Sequence, residues 1–125
     1  AIKEEKWVVF AAWQPHWMNV LFDFEFLQDP QQQMWKNPES EVYTLVPVAF
    51  KQEHPQVYKF LQQLKIDVDT GSEWIYRIGK KEMDKDKMAE AWIKNNLSTC
   101  TQWLEGVQTP AGKDAAQVLK QKYSQ

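Results

Sequence analysis

The sequence contains one cysteine, Cys100, which rules out an intramolecular disulfide and says little about the redox compartment. Glycine is scarce at four residues, and none lies in a run that would cradle a phosphate. Two well-separated histidines and the lone cysteine do not make a zinc site, so neither a metal nor a cofactor is expected. The net charge of −2 offers no basic patch, which argues against nucleic acid as a partner. No apolar stretch approaches a membrane span, and there is no internal repeat or low-complexity segment. No signal peptide is visible, but the chain starts at Ala1 without a methionine, which is compatible with a segment having been removed.

What is present in excess is tryptophan. Seven of them in 125 residues is more than packing one domain of this length requires. Charged residues make up 26% of the chain, an ordinary soluble surface. The apolar run at residues 7–12, Trp-Val-Val-Phe-Ala-Ala, reads as a buried strand. Pro15 should break it, so that Trp13, His16 and Trp17 emerge on a loop at its end. Ends of buried strands in α/β sheets are where small ligands bind. Indole faces attract a cation that cannot donate hydrogen bonds, and an imidazole can donate to a carboxylate. Each residue also has a plainer reading. Tryptophan is usually core, a histidine beside proline is more often a solvated loop residue, and Trp17 leans toward packing.

Further along, Phe22, Phe24 and Phe26 alternate with Asp23 and Glu25, an extended segment with its aromatics on one face. The two acids suit a solvated strand face better than acid–base catalysis. Asp29-Pro30 starts a turn, and residues 31–40 form a polar loop carrying Met34 and Trp35. Residues 41–50 are the next strand candidate, confined by Pro47 to an edge or a bulge. From Pro55 the period becomes helical, with Val57, Phe60, Leu61 and Leu64 on one face. Thr70-Gly71-Ser72-Glu73 has capping-box spacing, and Gly79 should stop the helix it starts. Asp84 caps the next helix, Asn95-Asn96 interrupts it, and Ser98 restarts it. Trp74, Trp92 and Trp103 fall at core spacing. Residues 109–112 make a turn, and a short helix over 114–123 closes the chain.

The run Trp13-Gln14-Pro15-His16-Trp17-Met18 resembles the substrate-binding proteins of ABC transporters for glycine betaine, proline betaine, choline or carnitine. The resemblance continues through Asp23-Phe24 and Leu27-Gln28-Asp29-Pro30, residues 41–50 and 55–64, then Met88 to Ile93, Asn96 and Trp103-Leu104. It covers roughly residues 5 to 105 in family order. Two departures are Ala11-Ala12, where a glycine often precedes the tryptophan, and a tail beyond Leu104 with no match.

The resemblance implies an α/β fold: a type II periplasmic-binding-protein-like lobe with a small sheet, packed helices and a helical C-terminal half. Residues 1–108 would form this lobe and 109–125 a C-terminal helical tail. Family members have two lobes and are about twice as long, so the chain corresponds to a C-terminal half, as a fragment or a natural half-module. The implied function is non-catalytic capture of a quaternary-ammonium solute outside the cytoplasmic membrane, for delivery to an ABC transporter permease. Trp13 matches the tryptophan of the ligand cage, His16 a polar or carboxylate contact, and Trp17 a second wall or a packing residue. The rest of the site would come from a missing second lobe or a homodimer partner. Two other classes stay open on the residues alone. A carbohydrate-binding or protein-interaction module would use exposed tryptophans with Gln14 and Asn19 beside them. An enzyme with His16 as general base is weaker, for no serine, cysteine or paired carboxylate lies near it in sequence.

Overall fold

The computed structural model describes residue 4, residues 6–31, residue 33 and residues 42–123. Met34, Trp35 and Glu41, with most of the loop expected at 31–40, lie outside the described residues. Among the described residues seven helices follow in order: α1 (Met18–Leu21), α2 (Phe50–Glu53), α3 (Pro55–Gln63), α4 (Val68–Gly79), α5 (Lys85–Asn95), α6 (Leu97–Trp103) and α7 (Ala115–Tyr123). The chain divides into two compact units. One joins Ala1–Phe24 to Ile66–Asp84, and the other joins Glu25–Lys65 to Lys85–Gln125.

The expected small sheet is not formed among the described residues, whose one β-type pairing is an isolated bridge between Gln108 and Asp114. Residues 6–13 and 42–46 carry no regular secondary structure. A strand exists only through the hydrogen bonds of its neighbours, and no described segment supplies a ladder to either stretch. The apolar side chains that suggested burial are therefore exposed: Trp7 and Val48 fully, Val42 and Leu45 nearly so. The second stretch also stops short of Phe50. The Phe50 N–H donates to the Pro47 carbonyl at 3.0 Å, a turn that leads into the single turn of α2. The phenylalanine alternation does hold locally, with Phe22 and Phe24 5.8 Å apart and Phe10 edge-on to Phe24 at 5.3 Å.

In the first unit, α4 starts three residues before the expected capping box. Asp67 is the N-cap, accepting from the Thr70 N–H and the Thr70 hydroxyl, both at 2.8 Å. A carboxylate in that position satisfies an orphan helix donor, and the Thr70 backbone and side-chain hydrogen bonds hold the Asp67 carboxyl below its ordinary range. Glu73 is not used for capping. It pairs with Arg77 one turn on, at 2.7 Å.

In the second unit, His54 sits between α2 and α3 at φ −133°, ψ 57°. The residue before a proline is pushed out of helical geometry, while Pro55 itself suits the first helical position. Asn96 separates α5 from α6 and donates its side-chain amide to the Trp92 carbonyl at 2.8 Å. Trp92 and Trp103 stack at 5.5 Å with planes 10° apart, and Gln63 donates to the Trp103 carbonyl at 2.6 Å. Met88, Cys100 and Val107 are buried around this helical core, and burial pushes the Cys100 thiol pKa up. The turn at 109–112 forms as expected: the Gly112 N–H donates to Thr109 O at 2.9 Å. Asp114 then caps α7 by accepting from the Gln117 N–H at 2.8 Å, and α7 packs on α6.

Gly106 has a positive φ of 62°, and Lys59 donates its ammonium to the Gly106 carbonyl at 3.0 Å. A Cβ there would meet that ammonium. Gly106→Ala should therefore lower stability by about 1–2 kcal/mol, since a left-handed conformation is costly for an L-residue. Urea denaturation measures this. Adding Lys59→Ala should not restore the loss, because the backbone strain remains.

Candidate functional site

The first unit is built around one contact, between the loop at residues 13–17 and helix α4. The His16 N–H donates to Ser72 Oγ at 3.2 Å. Ser72 lies in α4 and is only 3% exposed. Beside it, a Cβ on Gly71 would sit 3.2 Å from Pro15 Cβ and 3.3 Å from Pro15 Cγ, tight enough that glycine is what lets the proline ring approach. The Gln14–Pro15 peptide bond is cis.

Asn19 clamps the loop from its other side. Its amide nitrogen reaches both the Trp13 carbonyl and the His16 carbonyl at 3.2 Å. The Asn19 backbone N–H also donates to His16 O at 3.1 Å, which brings the chain into α1. Two side chains, from α1 and α4, thus fix the backbone that carries the aromatic rings.

Those rings form a cluster centred on His16. Trp13 and His16 have centroids 5.0 Å apart and planes at 66°, and His16 and Trp17 are 5.1 Å apart and tilted by 39°. The Met18 N–H points at His16 Nδ1 at 3.3 Å. In the neutral ring this makes Nδ1 the acceptor and leaves the hydrogen on Nε2. Trp13 is 61% exposed, while His16 and Trp17 are half-buried. Lys80, at the C-cap of α4, places its ammonium 3.9 Å from the centroid of the Trp17 ring.

Trp13, His16 and Trp17, the candidates from sequence, are brought into one cluster. Sequence reasoning missed three residues that shape it: Gly71, Ser72 and Lys80. A usable signal existed for the first two. A glycine inside a helical pattern costs stability and calls for a packing reason, and Gly71-Ser72 gives α4 a face small enough to receive the loop. No local pattern marks Lys80. A groove of about 200 Å³ in the second unit, lined by Gln56, Val57, Phe60, Leu104, Val107 and Gln108, has no charged lining and gives less chemistry to work with.

The model of the family described as the substrate binding domain of ABC-type glycine betaine transport systems matches residues 1–95. The chain belongs to this family. Its members have a periplasmic-binding-protein-like fold, and the ring cluster lies within the matched region. The chain is also 31% identical over 114 residues to the glycine betaine/carnitine transport binding protein GbuC of Listeria monocytogenes. That match covers 91% of the chain and 37% of the relative, so the chain spans little more than a third of the relative's length. No solved structure matches the chain.

Because Ser72 is the polar anchor of the loop, Ser72→Ala should cost about 1–2 kcal/mol by leaving the His16 N–H without its acceptor. It should also change the emission of Trp13 and Trp17. Thermal unfolding and tryptophan fluorescence read the two effects. Ser72→Ala with unaltered stability and emission would show that the loop holds its shape without the Ser72 hydrogen bond.

Proposed function

We propose that the chain contributes part of the solute site of an ABC importer that takes up a quaternary-ammonium compatible solute such as glycine betaine. The observation that carries this is the ring cluster in a member of the betaine-binding family: an exposed indole, Trp13, beside an imidazole whose Nε2, in the neutral ring, is a donor. The two solutes in the relative's name, glycine betaine and carnitine, share a trimethylammonium group and a carboxylate. A trimethylammonium group has no N–H, so it is held by aromatic faces rather than hydrogen bonds. Trp13 supplies such a face, His16 Nε2–H serves the carboxylate, and Trp17 lies behind as packing or a second wall.

The rest of the site comes from a second lobe or a partner copy, closing as a hinged clamp. A permease receives the solute, and the protein works outside the cytoplasmic membrane. No helix among the described residues is long and apolar enough to cross a membrane. Residues 1–108 act as the lobe and 109–125 as its helical tail. The role is binding, without catalysis. A sugar-stacking platform is less well supported, because the Asn19 amide donors are engaged by loop carbonyls.

Two substitutions test the assignment in a two-lobed protein carrying this sequence. Trp13→Ala should weaken glycine betaine binding by roughly tenfold, the loss of one desolvated cation–π contact. Calorimetry measures it, and an unchanged dissociation constant removes Trp13 from the site. His16→Ala should cost about 1–3 kcal/mol for glycine betaine and much less for choline, which has no carboxylate. Equal losses for both ligands would assign His16 to loop support alone.

A further inference from the structure

We infer that Lys80 is an internal occupant of the Trp17 indole face and a selectivity residue, one that disfavours plain cations relative to zwitterions at the ring cluster. The inference rests on the quaternary-ammonium reading of that cluster. Its starting point is geometric: the Lys80 ammonium lies 3.9 Å from the Trp17 ring centroid, well inside the distance at which an indole attracts a cation. The Trp17 face is therefore already used as a cation site.

Among the described residues no other contact is found for this ammonium. Among the described residues no carboxylate lies within ion-pair distance of Lys80, and Glu73, on the same helix, is engaged by Arg77. The backbone at Lys80 is fixed, its N–H donating to the Tyr76 carbonyl at 2.9 Å. Helix α4 therefore serves the cluster at two levels. Ser72 holds the loop under His16, and Lys80, about 12 Å further along the axis by helical rise, delivers a charge over Trp17.

An ammonium is a compact, strongly hydrated charge on a flexible stem, so it is a weak occupant that a trimethylammonium group can displace. Displacement leaves the positive charge nearby. A ligand that is only a cation then meets repulsion, whereas a zwitterion presents a carboxylate that compensates it. Lys80 thus lowers the affinity for simple quaternary cations and largely spares betaines.

The test titrates the 125-residue chain with tetramethylammonium and with glycine betaine, following tryptophan and lysine-methylene NMR signals. In the unmodified chain the Lys80 side-chain protons should be shifted upfield by the Trp17 ring current, and tetramethylammonium should abolish the shift. Lys80→Gln should tighten tetramethylammonium about two- to fivefold, the worth of one exposed cation–π contact, and glycine betaine by less. Lys80→Arg, which keeps the charge and stacks more strongly on an indole, should bind tetramethylammonium no more tightly than the unmodified chain. Absence of the upfield shift, or equal tetramethylammonium affinity in the Gln variant, overturns the role of Lys80 while leaving the betaine site standing. If a two-lobed protein carrying this sequence binds neither probe, with Lys80 or with Gln at that position, the quaternary-ammonium reading falls and the role of Lys80 falls with it.

Discussion

The hydrogen bond from the His16 N–H to Ser72 Oγ ties together residues 56 positions apart. It joins the loop that carries the ring cluster to helix α4. A loop carrying two tryptophans and a histidine has many conformations to lose on ordering, and fixing each residue costs about 1–2 kcal/mol of backbone entropy. One buried hydroxyl does not offset that alone. It acts with the close approach of Pro15 to Gly71 and with the Asn19 amide, which joins the Trp13 and His16 carbonyls. The rings are thereby held in place, and in the proposed site such preorganisation is what raises the net return from weak contacts.

The second unit is organised by different means. Its polar contacts tie side chains to main chain near the stacked pair Trp92 and Trp103: Asn96 to the Trp92 carbonyl, Gln63 to the Trp103 carbonyl, Lys59 to the Gly106 carbonyl. The first two satisfy carbonyls at helix ends, where the helices themselves leave acceptors open, and the third holds the turn after α6. Here indoles are packing elements, half-buried against each other. The excess of tryptophan in the sequence therefore divides by role: Trp92 and Trp103 stack within the helical unit, while Trp13 stands largely exposed on a braced loop.

How much of this was legible in the sequence depended on how local each signal is. Helices α3, α5 and α7 follow from period, Pro55, Asp84 and Asp114, all read within a few residues. The cluster of Trp13, His16 and Trp17 was legible because the three are neighbours in sequence around Pro15, although the strand that Pro15 was expected to break is not formed. The start of α4 was misplaced because two cap candidates competed. Asp67 accepts from both the Thr70 N–H and the Thr70 hydroxyl, and so consumes the residue that the capping box would have used. The sheet was inferred from apolar runs, but a run of this kind records only what a strand would bury. Its partner strands are non-local, and none is found among the described residues. Ser72 and Lys80 were invisible for the same reason, since each acts on a residue more than fifty positions away.

A site on one braced loop is limited by arithmetic as well as by geometry. Each aromatic contact to a quaternary ammonium contributes about 0.5–2 kcal/mol, and association costs at least about 4 kcal/mol in lost freedom. An exposed indole, a donor nitrogen and an indole already covered by an ammonium do not exceed that cost by much. On the proposed reading, tight capture therefore requires a second wall that removes water, strengthening both the cation–π contacts and the hydrogen bond to the carboxylate as the local dielectric falls. Closure of that wall would also bring the Lys80 charge into the same drier space, where leaving it unpaired becomes more costly. A zwitterion relieves this cost by placing its carboxylate near the displaced ammonium, and a simple cation does not. The discrimination attributed to Lys80 should thus grow as the site closes.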